Sequence, residues 1–528
     1  MVIKSNSLMF GRVICKLSWP HQTDQRQPHQ QHTVSAHRTV SDHRIGTRLA
    51  YGLGFLLIAL ISGCQTTTAL HQTALSHFDS GDPIQAIQAL TKAQAQQAEE
   101  SEILQTDLAI AQLMAGHAKQ TERQLKAVQA ELDYLAQKDI KEQTLALLSD
   151  SRSIAYSGRE FEKEMIRNLL TLSSMVSDRH DTFAFAGQAM EVVTADFQQR
   201  ISIDHPSEQG HDADFTSSPT LMVSHQQTSP PEPNSDAQKS GHSLAAYLHA
   251  LVHSENPLDH QLTQNSIQQI DFWSTERTQS APPAFGTMTP KQHGSLHVIT
   301  FTDRITDWVP EKAQPTSVSL LLADQILSKT GKHSLPPTIA PVKIAKPANP
   351  QCLNPFVTAV QIANQTPLLH SQPLIDLNHA AWDSYEADRN QQLASAVVRR
   401  IVKKAAIYTV KDQISVQGGS EVDTLLNLTS VLWESLEKAD TRHVALLPGR
   451  IEVVNTVLPV GQHNVQLNAA VSQSDLHSQQ HIHKAPVTVP ITIQNGRNTV
   501  ILCFRIGHRY VGNIMINDGT VIPLHTSL

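Results

Sequence analysis

The 528 residues carry 41 lysines and arginines against 48 aspartates and glutamates, which gives a formal net charge of −7. Charged residues make up only 17% of the chain and aromatic residues 5%, so the sequence offers neither a basic surface for nucleic acid nor many rings for stacking on bases or sugars. Length alone predicts about two or three domains.

A short apolar segment, residues 49–63, follows Arg44 and Arg48 and ends at Cys64. It is shorter than the roughly 20 residues of a membrane-spanning helix and fits the apolar part of a secretory signal. The small residues before the cysteine resemble the lipobox of bacterial lipoproteins. That resemblance implies that Cys64 is acylated and becomes the first residue of the mature chain. Gln65 in place of an aspartate implies an outer-membrane location on the periplasmic side.

Residues 1–63 are therefore predicted to be a signal peptide with a disordered N-terminal extension. The extension contains histidines at irregular spacing, with no carboxylate or cysteine cluster beside them, and is not expected to bind metal. These histidines are His21, His29, His32, His37 and His43. Whether Met1 is the true start stays open.

Residues 64–200 are predicted to be helical, because they are rich in Ala, Gln, Leu and Glu with spaced apolar stripes. Gly81 and Gly116 recur close to the period of about 34 residues of tetratricopeptide repeats. The small and larger apolar residues around them have the matching offsets. We therefore expect a repeat-like helical solenoid, with a further helix pair over 159–195. The apolar and small residues of the two copies are Ala74, Ala86, Ile87, Leu90 and Ala93, then Ala109, Leu125 and Val128.

Residues 201–242 are rich in Ser, Pro, His and Gln and are predicted to be a disordered linker or insertion. A further helix pair and loop follow over 243–293. Residues 294–440 are predicted to be a mixed α/β region with strands near 296–301 and 357–363. Residues 317–322 fit either a buried strand or a short helix. Two helices are expected over 374–390 and 393–409, and another over 422–436.

Residues 441–528 are predicted to form an antiparallel β-sandwich. Strands at 451–458 and 464–470 flank a Pro-Val-Gly turn, and strands at 487–493 and 499–506 flank Asn495-Gly496. Asn-Gly is a strong hairpin signal, because both turn positions tolerate positive φ. Asp518-Gly519 predicts a third hairpin. The fold class predicted is multidomain α+β.

Several short motifs together resemble a family of uncharacterised bacterial lipoproteins with tetratricopeptide-like repeats. The likeness covers most of residues 66–520 in order, departs from the pattern at Thr182 and in the long 201–242 stretch, and implies a repeat domain and a β domain on a lipid tether without supplying an activity. The motifs are Tyr156-Ser157-Gly158-Arg159-Glu160-Phe161-Glu162, Ala439-Asp440-Thr441-Arg442, Leu446-Leu447-Pro448 and Leu458-Pro459-Val460-Gly461.

Charged residues in these motifs have structural explanations. Glu160 and Glu162 stand at a helix start, where carboxylates favour the positive end of the dipole, so we expect capping and not acid/base catalysis. Asp440 and Arg442 are expected to form a local ion pair, with anion binding by Arg442 as the alternative.

The rest of the sequence contains few motifs that indicate chemistry. No nucleophile elbow, zinc-binding helix or phosphate-binding loop is present, and the sequence predicts no catalytic residues, no metal and no cofactor. Two histidine or basic clusters are expected to be polar surface: His477, His481 and His483, and Arg399, Arg400, Lys403, Lys404 and Lys411. Cys352 and Cys503 either form a disulfide or lie apart as buried thiols.

The function predicted is a lipid-anchored, non-catalytic scaffold that binds a protein partner of the cell envelope along the concave surface of its helices. The alternative is a cell-wall or carbohydrate-binding regulator of peptidoglycan enzymes. That alternative needs an aromatic platform, for which the C-terminal region offers only Phe504 and Tyr510. No nucleic-acid partner is expected, and the oligomeric state is not predicted.

Overall fold

Helices fill most of the first half of the described chain and strands most of the second, so the protein is of the mixed α+β class. The strands lie in the region where alternation and turn signals predict them. The computed structural model describes residues 65–96, 101–136, 156–204, 240–273, 285–330, 335, 339–349, 356–362, 368–413, 438–471 and 486–524.

The first eight described helices come in pairs, and consecutive helices pack against each other. Their positions agree with the helical periodicity of the sequence. They are α1 Gln65–Ser80, α2 Pro83–Gln96, α3 Ser101–Met114, α4 Ala118–Ala136, α5 Glu160–Met175, α6 Thr182–Asp204, α7 Ser240–His253 and α8 His260–Trp273.

The first two pairs have the same turn. Gly81 and Gly116 are left-handed, with φ of 86° and 81°. The amide after each glycine donates to a carbonyl five residues earlier: Asp82 to His77 at 2.9 Å, and His117 to Gln112 at 2.8 Å. This Schellman arrangement ends a helix and needs a residue that tolerates positive φ, which explains the spaced glycines of the sequence.

The two helices of a pair differ in burial. Nearly every described side chain of α3 and α7, and most of those of α5, are buried, including several polar ones. In contrast α4, α6 and α8 bury one stripe and expose the rest. A helix that is buried all round must be covered on a second side. The cover is the β region, because the main hydrophobic cluster joins these helices to strand residues such as Ile299 and Leu502.

Two short 3₁₀ helices lie at Pro257–Asp259 and Gly286–Met288. The other remaining elements of the described residues are twelve strands and two α-helices. They are β1 His293–Arg304, β2 Trp308–Ala313, α9 Ser317–Thr330, β3 Val342–Pro347, β4 Phe356–Ile362, β5 Leu369–His370, β6 Gln372–Asp376, α10 Leu377–Gln413, β7 Pro448–Pro459, β8 Gly461–Val471, β9 Val487–Ile493, β10 Asn498–Ile506, β11 Arg509–Ile516 and β12 Val521–Pro523.

The strands form a six-stranded sheet of order β12-β11-β10-β1-β7-β6, a four-stranded sheet of order β5-β4-β8-β9, and the pair β2-β3. Strand β1 pairs with β10 in parallel, Ser295 opposite Asn498, and with β7 in antiparallel orientation. One face of the six-stranded sheet packs on the helices. The other face packs on the four-stranded sheet, where Val298 and Ile501 cluster with Val489. Strand β1 is therefore buried on both faces.

Two predicted hairpins differ from the structure. Strands β7 and β8 are consecutive but lie in different sheets, and the same holds for β9 and β10. The turns at Gly461 and at Asn495-Gly496 therefore carry the chain from one sheet to the other. The hairpin at Asp518-Gly519 is confirmed by the antiparallel pairing of β11 with β12. Long-range partners such as β1 take the sheet positions that a local hairpin would fill.

Three further expectations are revised. The parallel pairing of β1 with β10 departs from a purely antiparallel arrangement. Both larger sheets combine strands from before and after residue 440, so a division of the chain at that point does not separate the sheets. Residues 377–413 form one continuous helix preceded by strand β6, where two helices were expected. For residues 317–322, where a buried strand and a short helix were both predicted, the helix is confirmed and extends to residue 330. The expected helix at 422–436 lies outside the described residues.

The turn between α3 and α4 packs directly on β11, which leads to a testable prediction. A Cβ at Gly512, whose φ is +70°, would lie 2.5 Å from the Met114 carbonyl oxygen. We expect Gly512→Ala to lower the free energy of unfolding by about 3 kcal/mol, because backbone strain and overpacking add. Gly507→Ala is the matched control: Gly507 also has positive φ but nothing within 4 Å, so about 1 kcal/mol is expected. Equal losses in urea unfolding would contradict the close packing of this turn.

Candidate functional site

The segment of residues 438–447, here called the junction segment, has no helix or strand until it enters β7, yet most of it is buried. A buried irregular segment must find hydrogen-bond partners for its backbone outside a sheet ladder. Two helical carboxylates supply them. Asp107 on α3 accepts from the Leu446 amide at 2.8 Å, and Glu162 on α5 accepts from the Val444 amide at 3.0 Å.

Glu162 is the most heavily used carboxylate of this junction. One oxygen accepts from the Val444 amide, and the other accepts from the Arg159 amide at 2.9 Å and from the Tyr156 hydroxyl. The Arg159 contact is half of a capping box at the start of α5. The capping role predicted for Glu162 is confirmed. Glu160 instead pairs with Lys163 at the surface, at 2.8 Å.

Burial has its largest electrostatic effect on the Tyr156 hydroxyl that donates to this carboxylate. Glu162 is 1% exposed. Burial and the adjacent Glu162 carboxylate raise the pKa of Tyr156 well above its usual value, so the hydroxyl stays protonated and continues to donate. A carboxylate enclosed in this way holds backbone in place and has no access to a substrate.

Asp440 and Arg442 of the junction segment form the ion pair that the sequence predicts. Arg442 donates through Nε to Asp440 Oδ1 at 2.8 Å and through Nη2 to Oδ2 at 2.7 Å. Its guanidinium carbon lies 5.5 Å from the centroid of the Tyr156 ring. The arginine is buried and held by its neighbour, so the structure does not favour its use as a free anion-binding group. The motifs around residues 156–162 and 439–442, which lie far apart in the sequence, meet here.

Several residues around the junction carry no sequence signal. His71 on α1 contacts the second oxygen of Asp107 at 2.9 Å. The Arg159 guanidinium lies over the Trp308 ring, 3.5 Å from its centroid. Burial lowers the pKa of His443 below its usual value. Asp107 could have been noticed as a carboxylate next to the apolar second half of α3, but its partner could not.

A serine and a histidine also meet inside the protein. His297 Nε2 lies 3.0 Å from Ser295 Oγ, and its Nδ1 lies 2.6 Å from the Tyr247 hydroxyl. Both residues of the Ser295–His297 pair are fully buried. Burial lowers the pKa of His297 to about 3. The pair belongs to the packing between α7 and β1, where a substrate has no access.

The residues considered for metal or thiol chemistry are placed as follows. Within the described ranges, one group has metal-binding composition with ligand atoms within 4.8 Å of one another: Glu164, Asp196 and His242. Cys503 is a buried free thiol whose pKa burial raises to about 12. Of the basic cluster on α10, Arg400 donates to the carbonyls of Ala340 and Pro341. The following lie outside the described residues: Cys64, Cys352, His477, His481 and His483.

Comparison with known proteins adds no relative. The chain matches no protein-family model, no curated protein and no solved structure. Among the helices of the described residues, none combines the length and the apolar character needed to cross a membrane.

Proposed function

We propose that the protein is a lipid-anchored, periplasm-facing scaffold of the bacterial cell envelope that acts by binding a protein partner. The observation that best supports a repeat scaffold is the turn shared by the first two helix pairs. In both turns a left-handed glycine, Gly81 or Gly116, is followed by the same backbone hydrogen bond. In this proposal the pairs α1 to α8 stack as tetratricopeptide-like repeats, and the two larger sheets pack as a sandwich.

The surface available to a partner differs from the one expected from the sequence. In a stack of helix pairs the first helices line the inner face. Here α3, α5 and α7 are covered by the junction segment and the six-stranded sheet. We therefore assign partner binding to the second helix of each pair. These helices expose apolar side chains such as Phe183 on α6, which is 52% exposed, and Leu262 on α8, which is 44% exposed.

The carbohydrate-binding alternative gains nothing from the structure. Phe504 is buried in the main hydrophobic cluster, and Tyr510 is half-buried and donates to the Asn468 carbonyl at 3.1 Å. Neither ring offers the open platform that stacking on a sugar requires. A partner protein is the better-supported ligand.

The anchor is tested by replacing Cys64. We expect wild-type protein in the membrane fraction, with an N-terminal peptide that begins at Cys64 and carries a diacylglycerol in mass spectrometry. Cys64→Ala should lose this modification and leave the membrane fraction after high-salt washing, because stable anchoring takes at least two acyl chains or equivalent signals. Cys15→Ala, which lies before the cut, should change nothing. A mature chain that begins elsewhere without lipid would contradict the anchor.

The binding surface is tested by photo-crosslinking in intact cells. A photoreactive residue at Phe183 or Leu262 should give one discrete protein adduct, identified by mass spectrometry. The same residue at Val460, which is 48% exposed at a turn of the β region, serves as the control and should give none. Adducts at Val460 alone would move the interface to the sheets and contradict the assignment to the second helices.

A further inference from the structure

Three helices meet around the imidazole of His242, near the start of α7. Its Nδ1 lies 3.2 Å from Glu164 Oε1 on α5, and its Nε2 lies 2.8 Å from Asp196 Oδ2 on α6. The ring itself is buried and packs edge-on against Trp273, with the ring centroids 4.5 Å apart. The imidazole is therefore fixed in orientation, as a metal ligand must be.

A second observation comes from the cleft that Glu164 and His242 line. Asn168 stands one turn after Glu164 on α5 and lines the same cleft as Glu164 and His242. It is 1% exposed, and its Oδ1 has no hydrogen-bond partner within the described structure. Buried amide oxygens almost always have a partner. A cation in the cleft would supply one.

The backbone around the cleft fits the same explanation. A Cβ at Gly241 would overlap the carboxylate of Glu164. Glycine at this position lets the carboxylate lie directly against the start of α7, beside His242. The other charged side chain that lines the cleft is Arg167, which faces Asp133 of α4 at 3.7 Å.

The competing explanation is a protonated imidazole between two carboxylates. Burial lowers the pKa of His242, but hydrogen bonds and charge from Glu164 and Asp196 outweigh it, so the pKa is raised above its usual value. A proton shared in this way satisfies the histidine and both carboxylates. It leaves Asn168 Oδ1 unpaired, and that atom distinguishes the two explanations.

We propose that Glu164, Asp196 and His242, with Asn168 Oδ1 beside them, bind a divalent transition-metal ion of the Zn²⁺ class. Imidazole nitrogen with carboxylate oxygens is a ligand set that suits Zn²⁺. The ion displaces the imidazole proton and binds one ring nitrogen and one oxygen from each carboxylate. Asp196 makes the largest adjustment, since its side chain is 47% exposed. The site joins three helices and is independent of the proposed partner binding.

The test is Zn²⁺ binding to the full chain at neutral pH, measured by equilibrium dialysis with metal analysis. Histidines elsewhere in the sequence can also hold Zn²⁺, so the readout is the difference between variants. We expect Asp196→Asn and His242→Ala to bind one equivalent less than the wild type, or to bind it at least about tenfold more weakly.

Glu191→Gln is the matched control, because Glu191 is an exposed carboxylate on the same helix as Asp196. It should bind as the wild type does. Asp196→Asn keeps the size of a half-exposed side chain, so the test does not depend on whether His242→Ala folds. Binding by Asp196→Asn equal to that of the wild type, or no binding by the wild type above background, would overturn the site.

Discussion

Glu162→Ala is expected to lower the free energy of unfolding by about 3–5 kcal/mol. The substitution leaves three donors without an acceptor: the buried amide of Val444, the buried hydroxyl of Tyr156 and the part-buried amide of Arg159. Each orphaned buried group costs about 1–3 kcal/mol. The measurement is urea unfolding of the full chain followed by circular dichroism.

Glu160→Ala is the matched control for this prediction. Glu160 stands two residues earlier on the same helix, but its side chain is 85% exposed and pairs with Lys163 at the surface. Exposed ion pairs contribute about 0–1 kcal/mol. The two variants remove the same chemical group, so their difference measures the contacts that Glu162 makes with Val444, Arg159 and Tyr156. Equal losses would mean that the junction segment is not held by Glu162.

The second large effect is expected at Glu452 on β7, which is 1% exposed. Its Oε2 accepts from the Thr358 amide at 2.9 Å and from Ser371 Oγ at 2.7 Å. Its Oε1 lies 2.8 Å from Arg450 and 3.1 Å from Arg505. The carboxylate thus connects β7 and β10 of the six-stranded sheet to β4 of the four-stranded one. Arg505 is itself completely buried.

We expect Glu452→Ala to cost about 3–5 kcal/mol, because it leaves the buried Arg505 guanidinium without its counter-charge. Glu452→Gln should be milder, since the amide oxygen still accepts from neutral donors. Glu386→Ala on α10 removes an exposed carboxylate and should change stability by less than about 0.5 kcal/mol. If Glu452→Ala and Glu452→Gln were both as stable as the wild type, the charge cluster would make no contribution to the free energy of unfolding, which would contradict the prediction.

Local structure was predictable, and the reason is local chemistry. The glycine spacing predicts the turns after α1 and α3, and the proline-poor, Ala-rich composition predicts the helices. The Asp518-Gly519 hairpin joins neighbouring strands with no competing partner, so its signal was sufficient. Pairing across the sheets was not predictable, because Asn495-Gly496 has the same signal but β10 pairs with β1 in place of β9.

Of the contacts at the junction, those between residues close in sequence were predictable and those between distant segments were not. The Glu162 cap and the Asp440–Arg442 ion pair depend on neighbours within a few positions, which sequence spacing captures. The contact of Glu162 with Val444, and that of Asp107 with Leu446, depend on the tertiary packing of distant segments. The Glu164, Asp196 and His242 group was missed for the same reason, since no short motif links its members.

The parallel pairing of β1 with β10 also constrains the order in which the sheet can fold. The segment that completes the middle of the sheet is made long after its neighbour has left the ribosome, and contacts so distant along the chain form slowly. Until then β1 has an unfilled edge, which is prone to aggregation. A chain held unfolded until residue 506 has been made avoids this interval, because both strands are then available together.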